Sequence, residues 1–321
     1  MKILITGGAG FIGSHLSERL IKENHSLIVL DDLSTGKSKN LQTLEGNKNL
    51  EFVNGSMLDE SLVENLMEKV DGCIHLGAAL GVKRILERPY ESLVANTHGT
   101  EIVVKSASKN GVRFFLASTS ELYGKNPVQP LTENSDRVIG SPQLVRWAYS
   151  EAKAIDESVV QMFQQSHGLK FVTGRFFNTV GPRQSGAYGM VLPRFVSAAI
   201  KGEPLLVYGD GSQSRVFCHV SDAIDGILRI FFNDRALGEA FNIGGDEEVS
   251  IGELAKRVIS ITKSESSIDY LPYSKAYPPG FEETMRRVPD TKKLRDFTGW
   301  KPKFSLDEII KDIETYLRAH P

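Results

Sequence analysis

The chain has 321 residues, 24% of them charged, and a formal net charge of -2. That length buries a large core and suits one big domain or two sharing a cleft, while the balanced charge offers no footprint for nucleic acid or an anionic membrane surface. Cys73 and Cys218 lie far apart without metal-type spacing, so no metal is expected, and they read as reduced residues of a cytoplasmic protein. No stretch approaches the roughly twenty apolar residues of a membrane span. The apolar run at the N-terminus is too short for a signal peptide before it meets glycines.

Lys2 to Thr6 reads as a strand, Gly7-Gly8-Ala9-Gly10-Phe11-Ile12-Gly13 as a glycine turn, and Leu16, Leu20 and Ile21 as the apolar side of a helix. In that order they point to a dinucleotide site. Gly7 permits the tight turn, Gly10 lets backbone approach a pyrophosphate, and Gly13 lets helix and strand pack closely; the helix start at Phe11 and Ile12 supplies unpaired N–H groups. The next strand, Ser26 to Leu30, ends in Asp31-Asp32. A carboxylate there accepts both ribose hydroxyls and repels a 2′-phosphate, so the expected cofactor is NAD.

The alternation continues with a strand at Leu50 to Asn54, a helix at Glu60 to Val70, a strand at Cys73 to Leu76, a helix at Tyr90 to Lys109 and a strand at Val112 to Ser118. This is the pattern of an α/β fold built on a Rossmann-type, doubly wound parallel sheet. Ligands of such sheets sit at the carboxyl ends of the strands, which singles out Gly7 to Gly13, Asp31, Gly55 to Met57, Gly77 to Leu80 and Ser118 to Glu121. His75 lies within its strand and reads as a packed core histidine.

Tyr149 and Lys153 are four residues apart at the start of an amphipathic helical run, so both side chains share one face. An ammonium beside a phenol favours the phenolate and would pull Tyr149 towards neutrality as an acid/base. The spacing is common in helices and gains weight from its neighbours. Hydroxyls at Thr119 and Ser120 cap turns as readily as they bind substrate; paired with Tyr149 they could hydrogen-bond a sugar hydroxyl whose proton the tyrosine removes.

Beyond Lys170 the chain turns to short strands (Leu205 to Tyr208, Arg215 to Val220), proline-punctuated loops and helices at Asp222 to Phe232, Ile251 to Ile261 and Ser305 to Leu317, the last capped by Ser305. We expect a smaller C-terminal α/β substrate domain over the carboxyl edge of the sheet. Residues 1–169 would mainly bind NAD and residues 170–321 mainly a nucleotide sugar, with chain crossovers. The stretch 265–290 is the least regular and is expected to fold over the nucleotide.

The glycine turn, Asp31, His75-Leu76-Gly77-Ala78-Ala79, Ser118-Thr119-Ser120-Glu121-Leu122-Tyr123-Gly124, Tyr149 to Lys153, Phe177-Asn178-Thr179-Val180-Gly181-Pro182-Arg183 and Tyr208-Gly209-Asp210-Gly211-Ser212-Gln213-Ser214-Arg215 come in the order seen in extended short-chain dehydrogenases acting on nucleotide sugars. The resemblance runs from Met1 to about Pro302. It implies that Thr119 and Tyr149 contact the sugar C4 hydroxyl, that Lys153 holds the nicotinamide ribose, and that hydride moves from C4 to NAD. It places Asn178, Arg183, Val207, Tyr208 and Arg215 around the nucleotide sugar, with Asn178 and Arg215 at the diphosphate, Gly77, Ala78 and Ala79 along the cofactor, and Ser56 and Met57 near the adenine. Ser56 stands where many relatives carry an aspartate. A homodimer through helices resembling 90–110 and 149–167 is implied as well.

Glu121 occupies a position where simple 4-epimerases usually carry a small or apolar residue, and a carboxylate there suits chemistry at C5. Arg146-Trp147-Ala148-Tyr149-Ser150 and the segment 280–290 resemble UDP-glucuronate decarboxylases, with Arg287 matching an arginine two residues before a proline and Phe281 replacing a tyrosine. A guanidinium binds a C6 carboxylate bidentately. The expected reaction is decarboxylation of a UDP-hexuronate; the alternatives are a 4,6-dehydratase, since GDP-mannose dehydratases carry a similar Ser-Thr-Ser-Glu run, a 4-epimerase, and a non-catalytic NAD-binding regulator.

Overall fold

The computed structural model describes residues 1–79, 88–186, 190–276 and 282–320. Strands β1 (Lys2–Thr6), β2 (Ser26–Asp31), β3 (Leu50–Asn54), β4 (Gly72–His75), β5 (Arg113–Thr119) and β6 (Phe171–Phe176) are followed by β7 (Thr179–Val180), β8 (Leu205–Tyr208), β9 (Ser214–Val216), β10 (Cys218–His219), β11 (Ala240–Ile243), β12 (Glu248–Ser250), β13 (Ile268–Leu271) and β14 (Arg286–Arg287). Seven of them form one sheet in the order β11-β6-β5-β4-β1-β2-β3, and every neighbouring pair is parallel.

Side chains alternate across a strand, and both faces of this sheet are covered. Ile5, Val29, Ile74 and Phe115 pack on one face against Leu16, Leu20, Ile227 and Phe231. Leu4, Ile28, Cys73 and Phe114 pack on the other against Val63, Val103 and Val160. Burial on both faces explains why these strands read as continuous apolar runs. The sheet order reverses between β1 and β4, so a crevice opens at their carboxyl ends, the topological switch point where such folds bind ligands.

Two strands from beyond residue 169, β6 and β11, complete this sheet. The smaller layer packs helices Val191–Lys201, Ile251–Thr262 and Leu306–Ala319 around Leu192, Val196, Leu254, Val258, Ile309 and Ile313. Ser305 caps the last helix as expected, in a reciprocal capping box with Glu308.

The structure corrects the reading of Arg215 to Val220 as one strand. β9 pairs with β12 and β14, whereas β10 pairs with β7, and two sets of partners break the run at Phe217. Val220 already belongs to the next helix, whose N-terminus His219 caps through its ring. Within the stretch 265–290, β13 pairs with β8 and β14 with β9. The second pairing sets Arg287 opposite Arg215.

Candidate active site

A cleft of about 460 Å³ opens at the switch point. Gly7 sits at φ +70°, and a Cβ there would lie 2.8 Å from the Gly77 nitrogen; one on Gly13 would lie 2.3 Å from the Gly7 oxygen. Helix Phe11–Lys22 starts at Gly10 with no side-chain cap, so its first N–H groups are open to an anion. Gly10, Phe11, Ile12 and Gly13 all line the cleft.

Asp31 also lines it, 7% exposed, and accepts hydrogen bonds from Ala9 N and Leu33 N, each at 2.9 Å. Burial raises its pKa. Met57, Gly77, Ala78 and Ala79 form the far wall, and Asn96 holds both the N–H and the carbonyl of Ala79. Ser56 is not part of the wall; its hydroxyl accepts Leu58 N–H. Leu80 and Phe281 lie outside the described residues. An uncapped helix start above glycines with no room for a Cβ, beside a buried carboxylate, fits a pyrophosphate and its ribose.

His75 is buried, and its bonds define the tautomer. Thr100 directs its one proton towards the Asn96 carbonyl and Asp156 and so accepts from His75 Nε2, while Nδ1 accepts from Thr6 Oγ1. Burial, then the charge of Lys153, lowers its pKa to about 3. This is the core histidine expected from its place within the strand.

On the opposite wall, helix Ala148–His167 buries Tyr149, Lys153 and Asp156 along one face. Ser150 pins the helix to the Glu121 carbonyl at 2.9 Å. Thr119 ends β5, accepts Glu121 N–H at 3.2 Å, and keeps its own proton for the Tyr149 oxygen. Tyr149 departs from expectation. Burial raises its pKa first, then the charges of Glu121 and Asp156, against the Thr119 bond. The Lys153 ammonium, expected to act on the phenol, has Asp156 Oδ2 3.1 Å away.

Glu121 sits between two guanidiniums. Arg287 Nη1 donates to Oε1, and Arg146 Nη2 is 2.7 Å from Oε2. Burial by itself would raise the pKa, but Arg287 and Arg146 outweigh it and hold the carboxyl well below the usual carboxylate range. Arg287 also donates to Asn178 Oδ1 at 3.0 Å, and its buried Nε meets no acceptor among the described residues. Ser120 is buried and lines the same wall.

Of the expected substrate contacts, Asn178, Tyr208 and Arg215 line the cleft. Arg215 donates to Glu283 at 2.8 Å. Arg183 instead reaches across to Ser14 and Glu18 on the glycine-turn helix, tying the second half of the chain to the first. Val207 is wholly buried in the small-layer core. Arg146 and Asp156 were not singled out from sequence. Arg146 belonged to a quoted motif, and Asp156 stands seven positions after Tyr149, where helical periodicity returns to the same face.

The glycine turn and Asp31 share one cleft with Tyr149 and Lys153, the arrangement of short-chain dehydrogenases/reductases. Sequence comparison places the chain more narrowly. It belongs to the GDP-mannose 4,6 dehydratase family, whose model matches residues 4–313. The chain is similar to UDP-N-acetyl-alpha-D-glucosaminuronate decarboxylase of Bacillus cytotoxicus, at 39% identity over 99% of this chain and 98% of that protein. It is 34% identical to UDP-glucuronic acid decarboxylase 1 of Danio rerio, over 99% of this chain and 73% of that one. Among solved structures, UDP-glucuronic acid 4-epimerase from Bacillus cereus, in complex with UDP-glucuronic acid and NAD, superimposes with a TM-score of 0.89 at 26% identity, covering 99% of each chain.

Proposed function

We propose that the chain is an NAD-dependent decarboxylase of a UDP-hexuronate. The observation that carries this reading is Arg287 in the cleft: it donates to Glu121, a carboxylate that Arg146 also meets, and its buried Nε finds no acceptor among the described residues. A substrate carboxylate supplies the missing acceptor. The similarity to two uronate decarboxylases and to a uronate epimerase supports the same substrate class.

The glycine turn and Asp31 would hold NAD, which would supply the hydride acceptor. Tyr149 takes the proton of the C4 hydroxyl, which Thr119 orients, and Lys153 binds the nicotinamide ribose. With C4 a ketone, the C6 carboxylate is β to it; the C5–C6 bond breaks, carbon dioxide leaves, and the electron pair passes into an enolate at C4. Tyr149 and Thr119 donate to that oxygen and stabilise its charge. Arg287 holds the carboxylate until it departs. Glu121, kept ionised by two arginines, is a weak base, which disfavours the C5 deprotonation that a 4,6-dehydratase needs.

Separate incubations with NAD and UDP-glucuronate, its 2-acetamido counterpart, or a UDP- or GDP-hexose, read by mass spectrometry, test the assignment. Loss of carbon dioxide is expected; an isomer of unchanged mass means a 4-epimerase, and dehydration of a hexose nucleotide means a 4,6-dehydratase. Residues 1–169 would mainly bind NAD and residues 170–321 mainly the nucleotide sugar, with crossovers in both directions, since Glu121 and Arg146 lie with Arg287 and β6 and β11 complete the first sheet. A homodimer is inferred from apolar side chains exposed on the helices Pro89–Lys109 and Ala148–His167, among them Tyr90 at 74% and Met162 at 63%; sedimentation of the purified protein as a monomer would remove it. Two buried free cysteines, Cys73 and Cys218, support a cytoplasmic location.

A further inference from the structure

Tyr149, Lys153 and Asp156 follow one another at helical spacing and are 9%, 2% and 1% exposed. An ammonium buried to that degree requires a counter-charge. The other carboxylates nearby are committed elsewhere. Glu157 takes Arg175 on both oxygens, and Glu121 takes Arg146 and Arg287. From the neighbouring strand and helix, His75 is neutral and Thr100 hydrogen-bonds Asp156, whose pKa burial raises against the charge of Lys153. Asp156, with Oδ2 at 3.1 Å, is therefore the carboxylate that meets Lys153.

We propose that Asp156 is a positioning residue for proton transfer at Tyr149: it anchors the Lys153 ammonium from one turn along the helix and sets how much of that positive charge the phenol experiences. The inference rests on Tyr149 as the acid/base of C4 oxidation, and not on which nucleotide sugar is turned over. Charges this deeply buried are little screened. Asp156 counts with Glu121 among the charges that raise the proton affinity of Tyr149, offsetting the effect for which a lysine four residues on is usually invoked.

The test is tyrosinate absorbance as a function of pH on the NAD-loaded protein, with Tyr149→Phe as the blank. Asp156→Asn keeps the volume and removes the charge. Its Tyr149 signal is expected to appear at lower pH by on the order of one unit, and the acidic limb of the kcat profile should move with it, while Asp156→Glu keeps both near wild type. A titration superimposed on wild type, with kcat merely scaled, overturns the proposal. Should the Asn variant fail to fold, Asp156→Ser carries the same expectation. Failure of both beside a folded Glu variant marks Asp156 as purely structural and also overturns it. If the wild type turns over no uronate, the assigned reaction falls while the absorbance titration still decides Asp156.

Discussion

Arg287→Gln separates recognition of a carboxylate from the rest of the chemistry. Arg287 gives one nitrogen to Glu121 and one to Asn178, and its Nε has no acceptor among the described residues. Glu121 keeps Arg146 at 2.7 Å when Arg287 is removed, so no buried carboxylate is stranded and the fold loses little. Hydrogen bonds to charged groups are worth about 1.5–3 kcal/mol each. Two of them to a C6 carboxylate give about 3–6 kcal/mol, a loss on the order of a hundred- to ten-thousand-fold. The assay is binding of UDP-glucuronate and UDP-glucose to the NAD-loaded protein, with release of carbon dioxide followed in parallel. The uronate should weaken by that factor and the neutral hexose by less than tenfold. Equal weakening of both sugars, or of neither, refutes the assignment of Arg287 to a substrate carboxylate.

Tyr149→Phe should lower turnover by roughly a hundred- to ten-thousand-fold while leaving NAD affinity unchanged in a calorimetric titration. Gly13→Ala should abolish NAD binding, since its methyl group meets the Gly7 oxygen at 2.3 Å; calorimetry with NAD checks it, and thermal unfolding reports the accompanying loss of stability. His75 is neutral in the fold with its pKa lowered from 6.5 to about 3, so the unfolded chain binds the extra proton between those values. The stabilisation is complete above pH 6.5 and falls as pH drops towards 3, by about 1.4 kcal/mol per unit. Denaturant unfolding of wild type and His75→Gln at pH 7 and 5 should show the weaker pH dependence in the variant. Arg146→Met should raise the proton affinity of Glu121, since one of its two cations is lost, and infrared absorption of the Glu121 carboxyl, assigned against Glu121→Gln, checks it.

What could be read from the chain alone was written in short-range terms. The strand, glycine turn and helix of residues 2–22, the carboxylate ending β2, and Tyr149 and Lys153 on one helical face all follow from steric rules and periodicities that span a few positions, and the structure places them around one cleft. Tertiary structure decided the charges. Glu121 meets Arg287 across 166 positions because β14 pairs with β9, two residues against three, a pairing too short to show as a periodic signal. Asp156 looks in sequence like one more charge on a solvated helix, and only packing of its helix against the helix Pro89–Lys109 and β5 buries it beside Lys153. Arg183 was drawn into the sugar site by its motif, yet its left-handed backbone at φ +68° turns the side chain to Ser14 and Glu18. Local pattern determines which groups are present at a strand end or helix face. Whether an ammonium acts on a phenol or on a carboxylate depends on distances of a few ångströms between segments far apart in the chain, which only the closed fold sets.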